Sequence, residues 1–187
     1  MSILRLLSVC LFVSVLAGCA SPAKIESMTV APSQVSAQSF DPALQSNVQL
    51  DEVQGGSKTN PLWTSEIDGG DFQVALRQSL DNAGLLNKND QAPLSLTANL
   101  IRVEQPLFGL DFKVTTVVEY VLLDKASGKV LMRETLTTPY TAGVGDAFVA
   151  VKRLRLANEG AAKENIAALL KRLATLQVDA SQVSLSQ

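Results

Sequence analysis

The pattern of apolar and polar positions over residues 94–140 is that of a β-meander. Every second residue is apolar over residues 94–100 and again, except for Thr116, over residues 112–122. Such alternation predicts strands with one buried face, because successive side chains of a strand point to opposite sides of the sheet. A turn-forming stretch at 124–129 joins the second strand to a third, which runs over residues 130–140. We therefore expect three consecutive antiparallel strands.

Two segments with helical spacing flank this meander. Apolar residues recur three and four positions apart over residues 72–83, with Asp68 and Asp71 at the end where acidic side chains favour the helix dipole. Gly84 stands where a C-terminal cap belongs. The second helix is expected over residues 148–176, and we predict that its small residues Ala161 and Ala162 pack closely against the sheet.

A short apolar stretch at residues 48–53 predicts one further strand before the first helix. The predicted order is then β-α-β-β-β-α, an α+β fold built as a two-layer sandwich with two helices on one face of an antiparallel-dominated sheet. We expect a single domain over residues 47–176 and a disordered tail over residues 177–187.

The segment before this domain is rich in Ser, Ala, Pro and Gln, and its apolar residues are not periodic. This composition is typical of a tether, which we assign to residues 19–46. The alternative is that Val30, Val35 and Phe40 hold parts of the segment against the domain.

The first nineteen residues have the layout of an export signal. Arg5 precedes an apolar run at residues 6–16, which is shorter than the roughly 20 residues that a membrane-spanning helix needs. The run leads into the tetrapeptide Leu-Ala-Gly-Cys, ending at Gly18 and Cys19, which resembles the bacterial lipobox at all four positions. The alternative is an ordinary signal peptide that is cut after small residues.

The lipobox resemblance implies that residues 1–18 are a lipoprotein signal peptide, cut between Gly18 and Cys19. It also implies a diacylglycerol on the Cys19 thiol and an acyl chain, such as palmitate, on the new amine. Several acyl chains on one residue are enough for stable membrane anchoring. An aspartate directly after the cysteine would resemble the inner-membrane retention signal of enterobacterial lipoproteins. This chain has Ala20 and Ser21 at those positions instead. We therefore expect an outer-membrane protein that faces the periplasm.

Composition narrows the function of the mature chain. Removal of residues 1–18 from the 187-residue chain leaves 169 residues, and because Arg5 is the only charge removed, the formal net charge changes from −2 to −3. This balance argues against nucleic acid as a partner. The chain has no histidine, which excludes a Ser-His-Asp triad and leaves a poor ligand set for zinc. We expect a protein without enzyme activity, cofactor or metal.

Two apolar features remain as candidate partner surfaces. The first is the turn that contains Leu107 and Phe108, which is either folded onto the core or exposed as a tip for lipid or a protein partner. The second lies on the sheet face away from the helices, where four apolar residues break the polar pattern expected of a solvated face: Ile101, Val103, Val117 and Val121. The alternation slips at Leu100 and Ile101, so Ile101 and Val103 either point to this face or mark a bulge. This face is covered either by the tether or by another protein.

The lipobox, the tether, the element order and a last helix containing LANEGAAKENIAALLKRL (156–173) together resemble small envelope lipoproteins of proteobacteria. Within this group the chain resembles two types: the auxiliary lipoproteins of ABC-type lipid transport systems and the lipopolysaccharide-assembly lipoprotein. The resemblance implies an accessory subunit without catalytic activity that binds a protein partner, or lipid, in the envelope. The alternative is a regulatory lipoprotein that reaches across the periplasm to activate a cell-wall enzyme, for which a long mobile tether would be needed.

Overall fold

The computed structural model describes residues 20–60, 64–89 and 91–178. Within these residues the helices and strands follow one another in this order: α1 (Ile25–Met28), α2 (Pro32–Val35), β1 (Val48–Gly55), α3 (Gly69–Asn82), β2 (Leu94–Glu104), β3 (Phe112–Asp124), β4 (Val130–Ala142) and α4 (Ala150–Thr175). From β1 onward this is the order that the sequence pattern predicts.

The four strands form one sheet in the order β1-β2-β3-β4. β1 is parallel to β2, since α3 carries the chain back between them, whereas β3 is antiparallel to both of its neighbours. The alternating apolar residues of β2 and of the second half of β3 share a buried cluster with apolar residues of α3 and α4, and Phe112 and Val114 of β3 form a second cluster with α4. The predicted α+β two-layer sandwich is therefore confirmed.

The two ends of α3 are capped as its sequence indicates. Asp68 Oδ1 accepts hydrogen bonds from the backbone nitrogens of Gly70 (2.8 Å) and Asp71 (3.3 Å). Burial, with the Asp68 carboxylate as a second cause, raises the pKa of Asp71. At the other end Gly84 has a φ of 71°, a left-handed conformation that suits glycine after a helix.

The small residues of α4 bring this helix close to β3 and β4. Ala161 and Ala162 are fully buried, as predicted. The hydroxyls of Thr116 and Thr138 both donate to the Ala161 carbonyl oxygen, at 3.1 and 3.2 Å. A side chain on Gly160 would lie 2.3 Å from the Tyr140 ring. Larger residues would therefore push the helix off the sheet.

A buried amide joins the same helix to the sheet. Asn165 accepts a hydrogen bond from the Tyr120 hydroxyl at 2.8 Å and donates to the Leu136 carbonyl oxygen at 3.0 Å. Burial raises the pKa of Tyr120, so this phenol stays protonated and remains a donor. Because each of these polar groups has a partner, the network fixes the rotation of α4 against the sheet.

The segment before β1 is folded against the domain. Its apolar side chains belong to the main core, with the following residues buried: Ala23, Met28, Val30, Val35, Phe40 and Leu44. Polar contacts support the packing, since the Val30 backbone nitrogen donates to Ser79 Oγ at 2.9 Å. The interpretation of residues 20–46 as a tether is wrong for this reason, and the alternative in which Val30, Val35 and Phe40 are held against the domain is correct.

Candidate functional site

The lipidation prediction falls just before the described residues. Gly18 and Cys19 lie outside them, and the first described residue, Ala20, is buried. No helix among the described residues is long and apolar enough to cross a membrane.

The chain is held firmly at its first described residues. The Ser65 hydroxyl donates to the Ser21 carbonyl oxygen at 2.8 Å, and Arg155 Nη1 donates to Ser21 Oγ at 2.9 Å. Gln105 Nε2 in turn donates to the Ser65 carbonyl oxygen at 3.1 Å. We call these four residues, Ser21, Ser65, Gln105 and Arg155, the N-terminal clasp.

A buried ion pair supports the clasp from the helix side. Arg155 lies 3.3 Å from the Glu159 carboxylate, one turn further along α4, and only 16% and 5% of the two side chains are exposed. The same carboxylate accepts a hydrogen bond from the Lys24 backbone nitrogen at 2.9 Å. Glu159 therefore ties both the arginine of the clasp and the N-terminal segment to one position.

The loop between β2 and β3 begins at the clasp and is apolar at its tip. It continues from Gln105 to Leu107 and Phe108, of which Phe108 is 86% exposed. Leu110 is exposed as well. Of the two alternatives for this turn, the exposed tip is the one found.

A second exposed apolar loop lies between β4 and α4. Phe148 is 88% exposed, and Val144 and Val149 are exposed beside it. The sequence pattern predicts a loop before this helix but places Phe148 in the first helical turn, and for that reason it does not indicate that the loop exposes apolar side chains. An aromatic residue outside the helical apolar stripe was the available signal.

The two loops lie at the same end of the sheet, since Phe112 of β3 pairs with Ala142 of β4. Arg153 Nη1 donates to the carbonyl oxygens of Ala147 and Phe148, both at 2.7 Å, and its guanidinium stands 5.2 Å from the centre of the Phe112 ring. We define the apolar end by the exposed residues of both loops: Leu107, Phe108, Leu110, Val144, Phe148 and Val149.

On the sheet face away from the helices, two of the predicted residues are enclosed by their neighbours. Val117 and Val121 alternate with the helix-facing residues of β3, yet Val117 is only 5% exposed. Val117 is flanked by Arg102 and Thr137, and Val121 by Thr97 and Arg133. The long arginine side chains can cover the valines with their aliphatic parts. In the described part of the N-terminal segment, α1 packs on α3 and α4 and α2 packs on α3, which places both short helices on the helix side of the sheet.

A bulge separates the other two members of the predicted surface. The β2–β3 register shifts between Leu100 and Arg102, which leaves Ile101 as the extra residue, about half exposed. Beyond the shift Val103 pairs with Thr116 and packs against the core. The prediction that Val103 points away from the helices is wrong, because one added residue reverses the alternation.

The described residues also form surface clefts, one of which, of about 520 Å³, lies between α2 and the C-terminal end of α3. A surface cleft of about 500 Å³ lies between α2, β4 and α4, lined by both charges and apolar groups, among them Tyr140, Glu159 and Lys163. No group of three or more His, Cys, Asp or Glu side chains in residues 20–60, 64–89 and 91–178 is placed to hold a metal ion.

The fold defines an α+β protein of two layers, and it has solved counterparts. A protein from Caulobacter crescentus, described as a candidate lipoprotein, is similar with a TM-score of 0.50 and 19% identity, over 71% of this chain and 90% of that one. A minor lipoprotein from Acinetobacter baumannii has a TM-score of 0.45 and 13% identity, over 68% and 91% of the two chains. PelC from Paraburkholderia phytofirmans has a TM-score of 0.49 and 17% identity, over 75% and 96%.

No family model matches the chain, and no curated protein sequence matches it. At 19% identity the Caulobacter crescentus structure shows a shared fold and nothing about activity or partners.

Proposed function

We propose that this protein is a lipid-anchored lipoprotein of the outer membrane, facing the periplasm. In this role it is an accessory subunit without catalytic activity, and it binds a protein partner or a lipid-handling assembly of the envelope. The lipobox at Cys19 supports the anchor, and the described fold supports a compact domain held beside that anchor.

The observation that carries this proposal is the short distance between the anchor and the folded domain. Cys19 precedes the clasp residue Ser21 by two positions, and two extended residues span at most about 7 Å. An acylated Cys19 therefore holds the domain against the membrane surface, where an accessory subunit of a membrane-bound assembly is needed.

The same observation weighs against the regulatory alternative. A lipoprotein that activates a distant cell-wall enzyme needs a long mobile linker, because the linker sets the reach of the domain. In this chain the apolar residues between Ala23 and Leu44 are part of the core, so this segment cannot extend without opening that core.

The absence of catalysis is supported by composition. The chain has no histidine, and both of its cysteines lie in the first nineteen residues. A chain cut before Cys19 and acylated there keeps no free thiol for nucleophilic chemistry.

A Cys19→Ser substitution tests the anchor. The substituted chain should carry no lipid, measured by mass spectrometry, and should leave the membrane fraction or remain uncleaved. Cys10→Ser is the matched control, because Cys10 lies within the apolar run and should leave with the signal. A Cys19→Ser chain that is processed normally and stays in outer-membrane fractions contradicts the proposal.

Affinity capture of the lipidated protein from detergent-solubilised membranes tests the accessory role. We expect components of a lipid transport or assembly system to be enriched over a capture that uses an unrelated outer-membrane lipoprotein. Enrichment of a cell-wall enzyme instead would support the regulatory alternative and contradict the proposal.

A further inference from the structure

We propose that the apolar end is a membrane-contact surface, seated in the same leaflet that holds the lipid of Cys19. The proposal rests on the lipid anchor of the proposed function and adds a second, orienting contact to it. It assigns the occupant of this surface as lipid and not as a protein.

The position of the anchor is the first argument. Ser65 binds two parts of the chain at once, since its hydroxyl donates to Ser21 and its carbonyl oxygen accepts from Gln105. Cys19 is two residues before Ser21, and Leu107 is two residues after Gln105. Each of these steps spans at most about 7 Å. The lipid attachment and the apolar tip therefore leave the domain from neighbouring points.

The second argument is the chemistry of the surface itself. Two phenylalanines, Phe108 and Phe148, stand at the tips of adjacent loops, and both are almost fully exposed. Exposed apolar groups that are contiguous mark contacts with a partner or a membrane. They lie outside the buried clusters of the fold, so the core does not account for them.

The third argument is that the second loop is held in place by a buried group. Arg153 is buried, and its guanidinium lies over the Phe112 ring and donates hydrogen bonds to the carbonyl oxygens of Ala147 and Phe148. The buried Arg153 therefore holds the backbone of the loop in place, and the Phe148 side chain extends from it into solvent.

Polar groups surround the apolar residues as they would at a headgroup layer. Lys113 and Lys152 are exposed close to the two loops, and their long side chains can reach lipid phosphates. Two carboxylates, Asp111 and Asp146, are exposed there as well, and Asp146 accepts a hydrogen bond from the Gly143 backbone nitrogen at 2.8 Å. The contact is thus carried by apolar groups, with charges of both signs at its rim.

Tryptophan fluorescence on the lipidated full chain tests this placement. The native Trp63 is first replaced, as Trp63→Phe, so that each introduced tryptophan reports alone. Phe108→Trp and Phe148→Trp place the probe at the apolar end. Val130→Trp is the matched control, at an exposed apolar position next to the β3–β4 turn. The proteins are reconstituted into vesicles of phosphatidylethanolamine and phosphatidylglycerol, with and without bromine on the acyl chains.

We expect brominated lipid to reduce the emission at positions 108 and 148 at least twofold and to leave the emission at 130 unchanged. Equal emission with and without bromine at both 108 and 148 overturns the proposal. So does equal quenching at all three positions, because it shows no preferred end. Self-association through these residues, seen as a concentration-dependent loss of quenching, also overturns it in favour of a protein contact.

Mass spectrometry of the same preparation, which shows whether the chain is acylated, distinguishes failure of the contact surface from failure of the lipid anchor. An acylated chain without quenching at 108 and 148 overturns the contact surface and leaves the anchor standing. A chain without acyl groups that is still quenched at these positions supports the contact surface and contradicts the anchor.

Discussion

The two ends of the β3–β4 hairpin differ in their chemistry. At the turn between the strands, Asp124 Oδ1 accepts hydrogen bonds from the Ser127 backbone nitrogen and hydroxyl, and Gly128 adopts a φ of 70°. Exposed Lys125 and Lys129 complete this turn. At the other end the adjoining loops carry Leu107, Phe108 and Phe148 on the outside. The same pair of strands therefore connects a polar end suited to water with an apolar end suited to lipid.

The two ends are far enough apart to face different environments. β3 has 13 residues, and a strand rises about 3.4 Å per residue, so the ends are separated by about 40 Å. A domain that stands on its apolar end would hold the polar turn well clear of the headgroups, available to a partner in the periplasm.

The largest expected effect follows from removing the apolar end. Burying one phenylalanine contributes about 1.5–3 kcal/mol, so the double variant Phe108→Ser, Phe148→Ser should weaken vesicle binding by roughly 100-fold or more. The measurement is cosedimentation of a chain that starts at residue 19 and carries Cys19→Ser, with phosphatidylcholine vesicles. The melting temperature should not change, since both side chains are exposed.

The matched control for that variant is Val74→Ser with Val130→Ser, which removes two exposed apolar side chains elsewhere. Equal binding by the two double variants would remove the distinction between the ends.

The second effect concerns the clasp that places the anchor beside the apolar end. Arg155→Ala leaves the Glu159 carboxylate buried without its ion-pair partner, and we expect the free energy of unfolding to fall by about 3 kcal/mol. Urea unfolding measures this change. Arg102→Ala is the comparison, because Arg102 pairs with Glu104 at the surface and should cost less than about 1 kcal/mol. If Arg155→Ala and Arg102→Ala lowered the free energy of unfolding by similar amounts, the clasp would not be what holds the N-terminal segment.

The smallest effect concerns the far face of the sheet. Val117 is buried between its cross-strand neighbours, whereas Ile101 is half exposed at the bulge. Val117→Lys should lower the free energy of unfolding by about 1 kcal/mol, and Ile101→Lys should change it by less than about 0.5 kcal/mol. If Val117→Lys were neutral, this residue would be open to a partner, as its position in the strand first suggested.

The architecture followed from local patterns that the sequence displays directly. Alternation in β3 and the cap at Asp68 each depend on neighbouring residues, so the element order could be predicted. The docking of residues 20–46 could not, because it depends on contacts between distant residues, such as Val30 with Ser79. The composition of that segment is equally typical of a mobile tether.

The candidate site was predicted in part for the same reason. Leu107 and Phe108 stood out as an apolar turn, but the clasp joins residues 21, 65, 105 and 155, which no local pattern relates. The bulge at Ile101 reversed the orientation of Val103, since a single inserted residue moves all later side chains to the other face.

Spin labelling of the lipidated chain in vesicles tests the central claim most directly. With Cys10 removed with the signal and Cys19 acylated, a cysteine introduced as Leu107→Cys or Ser127→Cys carries the only free thiol. We predict that the label at 107 is accessible to oxygen and shielded from a water-soluble nickel complex, and that the label at 127 shows the reverse. Equal access of the nickel complex to both labels would contradict the account, because the two ends of the hairpin would then not differ in their contact with lipid.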